Sequence, residues 1–175
     1  MSKGRDEEFR VFFDAEFVNL RRLAFMLTGD WTEAEDLAQD TMVRTYNAWD
    51  RISGDSPMAY ARTALLNRHR SKLRRAKVEA KYAFARRTPT EVVEERDDAV
   101  TLIAALKVLP PRERQAIVLR FFEDRPIAEV AEMLEVPPGT VKSMTHRALA
   151  RLRDELGDPF ATLIRSAEVA VEAEL

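Results

Sequence analysis

Between Pro126 and Leu156 the chain carries a pattern that few folds accommodate. Ile127, Val130, Ala131 and Leu134 fall at i, i+3, i+4 and i+7, the spacing of a short helix with one buried face. Val136-Pro137-Pro138-Gly139 interrupts it, because two prolines cannot continue a helix but can sit at the start of the next. The run from Thr140 to Arg153 then turns Val141, Leu149 and Leu152 inward. Lys142, Ser143, His146, Arg147, Arg151 and Arg153 cover the rest. Two helices joined by a tight turn, the second polar and basic, is how a helix-turn-helix presents side chains to a DNA major groove. Donors and cations are what phosphates and base edges require. A solvated basic surface helix has the same short pattern, so the upstream stretch must decide between the two.

Composition narrows the fold class. Leu, Ala, Glu and Arg dominate, glycine is scarce and period-two alternation is nearly absent, so an all-α fold is expected. A chain of 175 residues can divide into two small helical domains. The lack of cysteine excludes disulfide frameworks, zinc ribbons and thiol catalysis. His69 and His146 lie among arginines that would repel a metal ion, so neither metal nor cofactor is expected. No apolar run approaches the roughly 18 residues of a membrane span. Met1 to Asp6 leads into a helix without a signal-peptide core, so a cytoplasmic protein with no membrane insertion is expected. The net charge of −2 conceals a split. Asp6 to Ala61 holds twelve acids against five bases, whereas Arg62 to Arg87 holds ten bases against Glu79 alone. That second segment attracts a polyanion whatever the total says.

A first helix is expected from Asp6 to Leu27, stopped by Thr28-Gly29-Asp30. Phe9, Phe12, Phe13, Phe17, Leu20, Leu23, Ala24 and Leu27 form its apolar stripe, and helical spacing favours core packing over base stacking for the aromatics. Thr32 and Glu35 have the form of a capping box and open a second helix. Ala34, Leu37, Ala38, Met42, Ala48, Trp49 and Ile52 turn inward there. Glu33, Glu35, Asp36, Gln39, Asp40 and Arg44 stay outside, solvated or bound to a partner. After a loop around Gly54, Ser56-Pro57 starts a third helix that runs to about Ala76. Met58, Ala61, Ala64 and Leu65 point to a core, but Asn67 to Arg75 carries cations around most of the circumference and should face solvent or nucleic acid. Trp49 and Tyr60 suit stacking on unpaired bases as well as a core. Further on, Leu102, Ile103, Leu106 and Leu109 make a helix ended by Pro110-Pro111. Arg112-Glu113-Arg114 opens another, with Ile117, Val118, Phe121 and Phe122 inward. The expected organisation is an N-terminal helical domain over 6–77, a linker over 78–98, a four-helix domain over 99–156 and a tail of helical composition over 157–175.

Four stretches carry a family resemblance. Ala34-Glu35-Asp36-Leu37-Ala38-Gln39-Asp40, with Trp49, resembles the polymerase-binding segment of bacterial sigma factors of the extracytoplasmic-function group. Tyr60 to Arg75 resembles the −10 promoter segment of that group. Leu109-Pro110-Pro111-Arg112-Glu113-Arg114, Phe121-Phe122-Glu123-Asp124 and Gly139-Thr140-Val141-Lys142-Ser143 resemble its −35 domain. Leu-Thr-Gly-Asp-Trp at 27–31 and Asn-Arg-His-Arg-Ser at 67–71 are most similar to an actinobacterial subgroup of the sigma-E type. The resemblance covers Phe9 to Leu156 in order. It implies a promoter-specificity subunit that binds core RNA polymerase and promoter DNA and catalyses nothing itself. It also implies an anti-sigma factor as a further partner, since members are often held by one. Carried over residue by residue, it places Asp36, Gln39, Asp40, Arg44 and Trp49 on polymerase. Tyr60, Asn67, Arg68, Arg70, Lys72, Arg74 and Arg75 then fall on the −10 element, and Thr140, Lys142, Ser143, His146, Arg147 and Arg151 on the −35 element. The chain departs from the pattern at Ser71, where many members carry Asp, and at Met144, where many carry Arg or a similar polar residue. Met144 cannot donate to a phosphate or base, so that contact is not carried over, and Thr145 is smaller than the usual residue.

The nearest rival is a stand-alone regulator with a LuxR-like output domain, whose wording is close to that at 111–114 and 139–142. It would carry a receiver or sensory domain with strands in front, whereas Phe9 to Ala76 reads as helices only. An enzyme lacks support, because the acids sit on outer faces and there is neither a nucleophile–base pair nor a glycine-rich phosphate loop.

Overall fold

The computed structural model describes residues 2–52, 56–82 and 98–157. Among them are seven α-helices and no strand: α1 (Ser2–Thr28), α2 (Trp31–Ala48), α3 (Pro57–Tyr82), α4 (Asp98–Val108), α5 (Pro111–Ile117), α6 (Ile127–Leu134) and α7 (Pro138–Leu156). A 3₁₀ turn, Trp49–Arg51, follows α2, and a π-helical turn, Val118–Phe122, extends α5.

The break between α1 and α2 has a local cause. Gly29 takes φ +67, a conformation that costs glycine little, and its N–H closes α1 on the Phe25 carbonyl at 2.7 Å. Asp30 then caps α2, its Oδ1 accepting from the Glu33 N–H at 2.8 Å. The expected Thr32–Glu35 capping box therefore lies two residues too far in. The cap is Asp30, whose extended backbone (φ −140) frees its side chain to fold back. Helix α1 also starts earlier than Asp6, and α3 runs past Ala76 to Tyr82. Thus 78–82, expected as linker, is helical, while 83–97 and the tail from 158 lie outside the described residues.

Helices α1 and α2 pair as a hairpin with α3 against α2. Leu20, Leu23, Leu27, Leu37, Leu65 and Leu66 are fully buried there, and each contributes about 1.5–3 kcal/mol by leaving water. The α1 aromatics pack as a partly buried ladder: Phe13 stacks on Phe17 at 4.7 Å, and Phe9 meets Trp49 edge-on at 5.2 Å. Thr41 and Thr45, buried in the hairpin, satisfy their hydroxyls on the Leu37 and Thr41 carbonyls one turn back. Helices α4 to α7 close around Leu106, Ile117, Leu119, Val130, Leu134, Val141, Leu149 and Leu152. The two units share one continuous core, with α4 and α5 packed on α1 and α6 packed on α3.

Candidate nucleic-acid interface

The turn between α6 and α7 is built by backbone conformation. Glu135 closes α6 in the left-handed region (φ 55), Pro137 is extended, and Pro138 occupies the first turn of α7, where its missing N–H costs nothing. Helix α7 buries Val141, Met144, Thr145, Ala148, Leu149 and Leu152. Thr140, Ser143, His146, Arg147 and Arg151 are exposed on the other side, with Lys142 half-buried at the edge. Met144 is only 5 % exposed, and the Thr145 hydroxyl donates inward to the Val141 carbonyl at 2.9 Å. The departures from the family pattern at these positions therefore fall in the core rather than on the outer face. Ser143 donates to the Gly139 carbonyl at 2.9 Å, leaving its lone pairs outward.

Beneath α7 lies an acid that the sequence reading treated only as a helix opener. Glu113, its side chain 8 % exposed, meets Arg147 Nε at 2.9 Å and Arg151 Nε at 3.2 Å with its two oxygens. Nothing in the local spacing announces this pairing, since the partners are 34 and more residues apart.

The basic half of α3 is more engaged than its composition suggests. His69 is 2 % exposed and lies against Gln115 of α5, with 3.3 Å between its Nδ1 and the amide nitrogen. Burial, then the charges of Arg114 and Lys72, push its pKa down to about 4. Arg68 pairs with Asp40 at 2.8 Å and Lys72 approaches Glu33 at 3.8 Å, tying α3 to the acids of α2. Arg70 bonds Asn67 and reaches the Leu134 carbonyl at 3.4 Å, where Arg112 also donates at 2.8 Å. Arg74 and Arg75 are exposed, and Tyr60 is 38 % exposed. Arg44, Tyr60, Asn67, Arg68 and Arg75 line a groove of about 590 Å³ between α2 and α3. Its cations and amides suit a nucleic-acid strand, and Tyr60 offers a ring for stacking.

On α2, Asp36, Gln39 and Arg44 are exposed, and Val43 adds a 59 % exposed apolar side chain that the sequence reading left out. Burial resists ionisation of Asp40, but Arg44 and Arg68 outweigh it and hold the carboxyl below its ordinary value. Trp49 is half-buried against Phe9 and Phe12. Among the described residues no His, Cys, Asp and Glu cluster suits a metal ion, and no helix is long and apolar enough to cross a membrane.

Comparisons with known proteins agree with this geometry. Residues 13–78 match the family model for sigma-70 region 2 and residues 105–154 that for sigma-70 region 4. Residues 13–78, which a LuxR-like regulator would not share, match a sigma-70 region rather than a receiver domain. The RNA polymerase sigma-E factor of Streptomyces avermitilis is 37% identical over 89% of both chains. That of Streptomyces coelicolor is 36% identical over 87% of this chain and 88% of its own. Among solved structures, the sigma factor RpoE from Bartonella quintana, in complex with the anti-sigma factor NepR, superposes with a TM-score of 0.72 at 26% identity. That likeness covers 86% of this chain and 97% of RpoE.

Proposed function

This chain belongs to the sigma-70 family of RNA polymerase sigma factors, in the extracytoplasmic-function group, and from that membership we propose how its surfaces divide the work. It is a promoter-specificity subunit of RNA polymerase and not an enzyme. The domain of residues 99–156 reads the −35 duplex through α7: Thr140, Lys142, Ser143, His146 and Arg147 at base edges and phosphates, with Arg151 toward the backbone. The domain of residues 6–77 does two jobs. The outer face of α2, Asp36, Gln39 and Asp40 with Val43 and Arg44, binds core polymerase, and Trp49 braces that helix from behind. The α2–α3 groove, with Tyr60, Asn67, Arg68 and Arg75, holds the −10 strand after its bases unstack, and Arg70, Lys72 and Arg74 add charge to it from the adjoining faces of α3. Unstacking costs a few kcal/mol, and phosphate contacts from these cations offset it in a salt-dependent way. The site of action is the cytoplasm. An anti-sigma factor, as bound by the Bartonella relative, is a partner for the same pair of domains.

The carrying observation is the exposed row Thr140, Ser143, His146, Arg147 and Arg151 on a helix whose opposite side is wholly buried. The test is reconstitution with core RNA polymerase, followed by co-elution on a sizing column and selection of duplexes from a randomised library. Co-elution with selective enrichment supports the reading. DNA binding without polymerase binding sinks the polymerase assignment. Lys142→Ala with Arg147→Ala should abolish enrichment and spare co-elution; lost co-elution would count against the division of labour.

The two readers touch in this structure, α6 against α3. Elements centred near −10 and −35 lie roughly 25 base pairs apart, about 85 Å of duplex at 3.4 Å per step. Reading both therefore requires the domains to part. The stretch from 83 to 97 reaches at most about 50 Å fully extended, which together with the width of the two domains covers that distance.

A further inference from the structure

We propose that Glu113 is a positioning residue for −35 recognition, holding Arg147 and Arg151 side by side on the DNA face of α7. The inference rests on the reading of α7 given above. The two arginines are one helical turn apart and share a face. Both are about half exposed, with side-chain exposures of 55 % and 53 %, whereas the carboxylate between them is 8 % exposed. Each guanidinium meets a different oxygen of Glu113, and each does so through Nε: 2.9 Å for Arg147 and 3.2 Å for Arg151. Arg147 donates to the carboxylate from Nε alone, and Arg151 meets Oε2 as an ion pair without a hydrogen bond, so of each arginine's five N–H donors the Nη forks are not spent on Glu113. Those forks make bidentate contacts to guanine or phosphate.

The platform under Glu113 is itself fixed. Its neighbour Arg112 donates to the Leu134 carbonyl at 2.8 Å, and Arg114 donates to the carbonyls of Leu27 at 2.6 Å and Lys107 at 2.8 Å. The first turn of α5 is thereby tied to α6, α4 and α1, and the carboxylate cannot drift with α7. Two long side chains that would otherwise sample many rotamers are held near one arrangement before DNA arrives, and ordering them at the moment of binding is avoided.

A purely architectural acid, joining α5 to α7, would account for the same distances, and the two roles part in their consequences. Removing the carboxylate's charge leaves the DNA face one unit more positive. Positioning therefore predicts that discrimination falls while non-specific affinity holds or rises. An architectural loss lowers both together.

The experiment uses full-length protein in reconstituted holoenzyme, with the best duplex that the wild type enriches from a randomised library as probe and calf-thymus DNA as competitor. Glu113→Gln should lower the specific-to-non-specific ratio about tenfold, within the discrimination available to one or two bidentate arginines, with unchanged core-polymerase binding. Glu113→Asp keeps the charge but withdraws the carboxylate by one methylene, and should fall between. In an Arg147→Gln, Arg151→Gln background the effect of Glu113→Gln should vanish, because nothing remains to position. An unchanged ratio in both Glu113 variants would overturn the inference, as would an equal loss in the arginine-free background or a parallel loss of non-specific affinity. A wild-type holoenzyme that enriches no duplex would instead sink the −35 reading of α7, and this inference with it.

Discussion

His69 sits between two arginines in sequence, yet in space it is enclosed between α3 and α5 with Gln115 as its polar neighbour. The enclosing groups that bear on its charge are Arg114 and Lys72, both cations, and burial acts in the same direction, so the folded pKa falls from 6.5 to about 4. The sign follows from linkage. Above about pH 6.5 the ring is neutral both folded and unfolded, and burying it costs no proton. Between 6.5 and 4 only the unfolded chain takes up the proton, so stability is lost as pH falls through that window, at up to about 1.4 kcal/mol per pH unit. Below 4 the contribution is gone. Thermal melts from pH 7.5 to 4.5 should therefore steepen in the wild type relative to His69→Gln, and parallel curves would refute the assignment. At the α1–α2 junction, Asp30→Ala removes the acceptor for the Glu33 N–H and should cost about 1 kcal/mol, read as a lower denaturant midpoint at unchanged slope.

At the scale of the element, α7 separates its two roles by face. Met144→Ala leaves a cavity under the helix and should cost about 2–5 kcal/mol. Ser143→Ala, one residue away and exposed, should shift stability by less than about 0.5 kcal/mol while weakening selection at the −35 element. Urea unfolding paired with library enrichment distinguishes them, and similar stability losses in both would contradict the face assignment. The inward faces of α1, α2, α6 and α7 were legible because apolar residues at i, i+3, i+4 and i+7 have one way to be buried together. Helix α3 was harder. Its arginines suggest a solvated cylinder, but Arg68 and Lys72 are answered by Asp40 and Glu33 across the hairpin, and Arg70 by the Leu134 carbonyl. Those partners lie 28, 39 and 64 positions away, where no local period points. Glu113 was obscured for the same reason. The cap of α2 was misplaced because Asp30 and Thr32 both suit an N-cap, and only the extended backbone at Asp30 chooses between them. The same long-range pairing bears on the polymerase face. Asp40 ties α2 to α3 through Arg68, so charge reversal there would disturb the groove as well. Asp36→Lys with Gln39→Lys changes exposed positions only, and should abolish co-elution with core polymerase without moving the melting temperature.

For the whole molecule, the question is what holds the two domains together before polymerase arrives. Leu106 and Val118 join the core of α1, but directional bonds also cross the boundary: Arg114 to the Leu27 carbonyl at 2.6 Å, and Arg62 to Glu123 at 2.5 Å with side chains 14 % and 16 % exposed. A pair that enclosed is costly to break from one side, because the remaining charge is left with neither partner nor water. In the closed form Arg70 reaches across to the Leu134 carbonyl of α6 at 3.4 Å, a contact that competes with DNA for its guanidinium. Promoter affinity is then reduced by the fraction of molecules that are open, and a tenfold reduction corresponds to about 1.4 kcal/mol of closure. The absence of cysteine makes this measurable, since Asp14→Cys and Ala150→Cys introduce two exposed labelling sites, one on α1 and one on α7. Energy transfer between them should be high in the free protein and drop on adding core polymerase. Glu123→Arg should lower it without polymerase and tighten duplex binding, and the swap Arg62→Glu with Glu123→Arg should restore both. Transfer that ignores the single reversal would mean that apolar packing alone sets the closed state. Transfer that falls with no gain in DNA binding would mean that closure does not compete with promoter recognition.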